Sequence, residues 1–166
     1  MTQPGSGDGY LARRRASIWT RIHPIFAFGQ LLTFVVSVGL LVAYLFGRVP
    51  FSWVAISVLI KIGLMAGAMI TGAFWESDVF GQFWFAPEYF IEDVITAIVF
   101  YLHLAYLYAV YFAPFDGKLT LPTLVIAYTA YVINVGQYVV RHGKVRQEER
   151  EIAAASGSSN ELKRSA

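Results

Sequence analysis

Five carboxylic acids, Glu76, Asp78, Glu88, Glu92 and Asp93, crowd into the stretch WESDVFGQFWFAPEYFIED (75–93), which is dense in Trp, Phe and Tyr and holds no Lys or Arg. Like charges gathered at an apolar, low-dielectric surface favour the protonated form of one member of the group. A carboxylic acid that keeps its proton at neutral pH is a general acid, and an ionised neighbour is a general base. The bland alternative is an acidic, solvated loop. Glu92 and Asp93 open an apolar run, where the helix dipole welcomes anions, so part of their presence is structural. Glu76 closes the preceding run at the negative end of a helix, where a carboxylate is disfavoured. Glu76, Glu92 and Asp93 are therefore the candidate catalytic acids.

Other polar groups lie inside the apolar runs. His103 stands eleven positions beyond Glu92, close to three helical turns, so Glu92, Thr96, Val99 and His103 share one face. A lone intramembrane His is either a hydrogen-bonding packing residue or a metal ligand or proton-handling group. A haem carried between two His is disfavoured, because His23 lies at the edge of the first run and His142 beyond the last. Lys61 sits near the middle of its run and needs an acceptor, water reached by snorkelling or an anionic group of a ligand. Glu76, fifteen positions on, is about 22 Å away along a helix, too far to serve. Gln30, Thr33, Ser37 and Tyr44 mark one stripe, and Tyr131, Asn134 and Tyr138, flanked by Gln137, another; both are expected to face an interior. Asn134 and Gln137 are either interhelical hydrogen-bonding glue or part of a site. Gly63 and Gly67 form a GxxxG pattern extended by Gly72, the mark of close helix approach, although the same small surface could leave a slot for a flat ligand.

The elements that must position these groups are helices in a membrane. The 166-residue chain is 57% hydrophobic and 14% charged, and its mean hydropathy is +0.54, outside the soluble range. It has no Cys, which excludes disulfides, thiolate nucleophiles and Cys-held metals. Its formal charge of +2 is small and its cations sit at the two ends, so nucleic-acid binding is not expected. Residues 22–47, 94–115 and 119–140 carry no Asp, Glu, Lys or Arg, and 49–75 carries only Lys61; each run exceeds the roughly 20 residues of a membrane-crossing helix. The expected fold is an all-α integral membrane protein, a four-transmembrane-helix bundle. Arg13, Arg14, Arg15 and Arg21 precede the first span, and Arg141, Lys144, Arg146 and Arg150 follow the last, against Arg48 and Lys118 on the other side. This bias puts both termini in the cytoplasm, and with them the acid-aromatic loop between the second and third spans. Phe85-Ala86-Pro87 interrupts any helix there, giving an interfacial cap. Residues 1–21 form a tail and basic juxtamembrane segment, 22–140 the transmembrane domain, and 141–166 a second basic segment and tail; 1–9 and 153–166 are polar and small and are expected to lack order.

ARRRASIWT (12–20), IKIGLMAGAMITGAFWESDVFGQFWFAPEYFIEDV (60–94), LHLAYL (102–107) and AYTAYVINVGQYV (127–139) together resemble the 3-vinyl (bacterio)chlorophyllide hydratase family, called 2-vinyl bacteriochlorophyllide hydratase in older naming. The block around FWESDVFGQFWFAPEYFIEDV is long and unusual, whereas the first span and the connector around Asp116 match only in apolar character. The resemblance implies a lyase of bacteriochlorophyll biosynthesis, in a bacterial cytoplasmic or intracytoplasmic photosynthetic membrane, that adds water to a vinyl group to give a 1-hydroxyethyl group. It implies a chlorophyllide-type tetrapyrrole as substrate, the lipid bilayer as surroundings, and no cofactor beyond the Mg of the pigment itself; a homo-oligomer or an association with pathway enzymes stays open. Given such a substrate, Trp75, Phe83 and Trp84 are expected to stack on the macrocycle. His103 is expected to ligate the pigment Mg or relay protons, with Asn134 and Gln137 beside the pigment. A protein that binds or delivers the pigment without reaction is the alternative, and it has no use for Glu76, Glu92 or Asp93.

Overall fold

In lipid, backbone N–H and C=O groups must be satisfied within the segment, so long apolar runs become helices. The structure, a computed structural model, describes residues 7–112 and 119–165. The expected unordered residues 1–6, together with Asp116 and Lys118 in the last connector, lie outside the described residues. Five helices follow in order, α1 (Gly7–Ala16), α2 (Trp19–Leu45), α3 (Phe51–Phe80), α4 (Phe90–Tyr111) and α5 (Thr120–Ser165). Four segments are long and apolar enough to cross a membrane, α2, α3, α4 and the Thr120–Arg141 part of α5, with 27, 30, 22 and 22 residues. Each of the four expected spans coincides with one of these helices.

α2 packs along α3 and α4 along α5, and α3 joins the two hairpins by packing on α4. The seam is filled by Leu41, Val54, Val58, Ile62, Tyr106, Leu124 and Tyr128 at one level and by Met65, Val99 and Tyr131 at another. The small-residue surface of α3 works by close approach: a Cβ on Gly67 would overlap the ring of Phe26, and one on Gly72 would lie 3.4 Å from His23. Gly63, the first glycine of the GxxxG pattern, faces open space.

Four local features differ from the sequence expectation. α1 is a short helix within the basic N-terminal segment, fastened to α3 where Tyr10 stacks on Phe80 at 5.9 Å and the Ser17 hydroxyl donates to Asp78 Oδ2 at 2.7 Å. α3 runs past Glu76 to Phe80 and stops at Gly81, whose φ of 76° is a left-handed C-terminal stop that glycine adopts without strain. Glu76 is thus inside the last turns of the helix. α5 continues through Ser165, so the segment after 140, expected to lack order from 153, is helical; its Arg, Gln, Glu and Ala residues are strong helix formers. Tyr138, expected inside, is 48% exposed, while Tyr131 on the same stripe is buried.

Candidate functional site

The helical Glu76 and Asp93 converge on the connector between α3 and α4. Trp84 and Phe85 both have positive φ, 51° and 56°. Bulky residues rarely adopt this left-handed conformation, and each such residue costs about 1–3 kcal/mol. The compensation is visible in two hydrogen bonds: Phe85 N–H donates to Asp93 Oδ2 at 2.8 Å, and Ala86 N–H donates to Glu76 Oε2 at 3.0 Å. Consecutive amides of one strained turn therefore hold carboxylates from two different helices. Two carboxyls seated on adjacent amides are placed so that one proton can serve both. Glu76 is buried at 4% exposure and Ala86 fully so. The result is a pair of carboxyls, one from each helix, fixed by backbone amides.

Rings surround this turn. Trp75 meets Tyr89 edge-on at 5.3 Å and Phe80 at 5.8 Å, and its indole N–H donates to Thr20 Oγ1 at 3.0 Å. Trp75 is therefore held within the ring cluster by its neighbours. Phe83 and Trp84 are exposed, at 59% and 43%, with Trp84 held by its indole N–H to the Met69 carbonyl at 3.2 Å. Both rings are thus accessible at the surface of the turn. Gln82 Nε2 donates to the Trp84 and Phe85 carbonyls at 3.4 and 3.3 Å, closing the turn on itself.

Glu92 points elsewhere. Its Oε1 lies 3.5 Å from a terminal nitrogen of Arg141 on α5, and the other terminal nitrogen donates to the Glu88 carbonyl at 2.6 Å. The guanidinium sits 4.6 Å over the Tyr89 ring. Burial, then the neighbouring Tyr10, raises the Tyr89 phenol above its ordinary value, so it stays protonated. Arg141 and Tyr89 escaped the sequence reading, because the first looks like one of several juxtamembrane cations and the second like one of many interfacial rings. Asn134 accepts from Thr96 Oγ1 at 3.3 Å, and Gln137 lines a cavity of about 400 Å³ between α4 and α5 together with Glu92 and Arg141.

His103 is far from these acids, about 16 Å along α4 from Glu92, and fully buried. Its Nδ1 donates to the Val99 carbonyl at 2.8 Å, which leaves Nε2 to accept from Lys61 Nζ at 2.5 Å. Lys61 is also fully buried and lies 3.6 Å from the Tyr131 ring centre. Lys61 thus finds its acceptor in an imidazole and a ring face within the bundle, and both ring nitrogens of His103 are engaged.

A family model described as 2-vinyl bacteriochlorophyllide hydratase (BCHF) matches residues 8–144. A 2-vinyl bacteriochlorophyllide hydratase of Rhodobacter capsulatus is 43% identical over 143 residues, covering 86% of this chain and 81% of the relative. One of Cereibacter sphaeroides is 41% identical over 144 residues, covering 87% and 88%. No solved structure matches the chain. The matched region runs from α1 through the acid-bearing turn to just beyond Arg141, and over that extent the chain belongs to the 2-vinyl bacteriochlorophyllide hydratase family.

Proposed function

We propose that this protein hydrates the vinyl group of a chlorophyllide-type pigment in bacteriochlorophyll biosynthesis, with Glu76 and Asp93 as the acid-base pair. The observation that carries the assignment of residues is the meeting of the two carboxyls on the Phe85 and Ala86 amides. The shared proton passes to the terminal CH2 of the vinyl group, and the carbon attached to the ring becomes cationic, its charge spread over the macrocycle. The carboxylate left behind stabilises that cation and takes a proton from water as the new C–O bond forms. Water has been added across the double bond, and the pair holds a proton again. The chemistry supplied by the protein needs no cofactor beyond the pigment, whose Mg arrives with the substrate.

Phe83 and Trp84 stack on the macrocycle beside the pair. The cations that flank the first and last spans support cytoplasmic termini and a cytoplasmic acid turn, in the bacterial membrane where the pigment is made. Incubating membranes that contain the protein with a 3-vinyl chlorophyllide tests the function, with a mass gain of one water as the expected product. Binding of several such pigments without any gain would favour the reading as a pigment-delivery protein.

A further inference from the structure

The cavity between α4 and α5 lies next to the acid turn but is not used by it. It measures about 400 Å³ and is lined by Ile91, Glu92, Gly136, Gln137, Val140 and Arg141. Ile91 and Val140 make apolar walls, and Gly136 leaves the α5 side without a side chain. Arg141 ends the fourth span, at the level where an apolar interior gives way to headgroups. Its guanidinium is set by the Glu88 carbonyl and the Tyr89 ring. The Glu92 oxygen at 3.5 Å lies beyond ordinary hydrogen-bond length, so the fork is held in place without being closed by a bidentate carboxylate. Beside it, the Gln137 side-chain oxygen is buried and has no hydrogen-bond partner among the described residues.

A cationic fork at the rim of an apolar cleft suits a flat, apolar molecule with a carboxylate at its edge. A chlorophyllide is such a molecule: it differs from the esterified chlorophylls in its free propionate side chain. The cavity is too small for a whole macrocycle and of a size for one edge. We infer that Arg141 holds the propionate carboxylate of the pigment and makes the protein selective for the free acid over its esters. This rests on the reading of the substrate as a chlorophyllide. Glu92 then acts as a positioning residue that keeps the guanidinium turned toward the cavity.

The test is a titration of the detergent-solubilised full chain with a 3-vinyl chlorophyllide and with its propionate methyl ester, followed by pigment absorbance. The free acid is expected to bind roughly 10-fold to 100-fold more tightly, the range of a charge-assisted hydrogen-bonded pair. Arg141→Gln is expected to bring that ratio close to one, and Arg141→Lys, which keeps the charge but not the fork, to an intermediate value. Equal binding of acid and ester by the unmodified chain, or an undiminished ratio in Arg141→Gln, would overturn the inference. Binding is read without turnover, so a failure of hydration with the ratio intact counts against the hydratase reading alone. Hydration of both pigments with a ratio of one counts against the anchor alone.

Discussion

Lys61 and His103 form a closed pair at the centre of the bundle, with Nζ 2.5 Å from Nε2 and the Val99 carbonyl fixing the imidazole from its other side. Neither residue is exposed, and Tyr131, Phe34 and Tyr128 present ring faces to the ammonium at 3.6, 5.2 and 5.3 Å. A buried donor or acceptor stripped of its partner costs about 1–3 kcal/mol. His103→Ala and Lys61→Met are each expected to destabilise the detergent-solubilised protein by that order, and the double variant by less than their sum. Additive losses in chemical denaturation would show that the two are not coupled. Because both ring nitrogens are engaged, the folded His103→Ala variant is expected to keep its pigment affinity; a loss there would mean that the ring turns to the Mg.

The glycines of α3 separate in the same kind of measurement. Gly67→Ala is expected to cost about 1–3 kcal/mol, because its new methyl must displace the Phe26 ring from an already packed seam. Gly63→Ala is expected to change stability by less than about 1 kcal/mol, since nothing lies within 4 Å of the new atom. Equal effects at the two positions would mean that Phe26 does not pack on Gly67.

Topology gives a third expectation. Reporter domains fused at either end are expected to be active only as cytoplasmic reporters, following the basic residues that flank the first and last spans. A periplasmic C-terminus would move the acid turn to the opposite face and remove the support for a cytoplasmic site.

The spans were legible because a membrane-crossing helix announces itself through length and apolarity alone, and 22–47, 49–75, 94–115 and 119–140 agree with the observed helices to within a few residues. The acid-aromatic stretch was legible as chemistry because its composition conflicts with its surroundings. What the sequence could not convey is how neighbouring residues part company. Glu92 and Asp93 are adjacent, yet the helix turns them about 100° apart, one to Arg141 and the other to the turn. The left-handed backbone at Trp84 and Phe85 was equally hidden, because such residues carry no glycine to mark the position. The partnership of Lys61 with His103 joins helices 42 positions apart in the chain, a contact that periodicity within one helix does not encode.

Those divergent directions give the carboxylates different expected consequences. Glu76→Gln and Asp93→Asn preserve size and can still accept from the Ala86 and Phe85 amides, but they remove the titrating proton from the pair. Each is expected to lower the hydration rate by roughly 10²-fold to 10⁴-fold, the contribution of a positioned general acid or base, while pigment binding persists. Glu92→Gln acts through the orientation of Arg141 and is expected to weaken pigment binding more than it slows the bound pigment's reaction. Single-turnover rates and pigment affinities of the three variants distinguish these roles. Near-normal rates in both Glu76→Gln and Asp93→Asn would sink the carboxyl-pair mechanism. A rate loss in Glu92→Gln as large as theirs, at saturating pigment, would place Glu92 in the chemistry and not beside it.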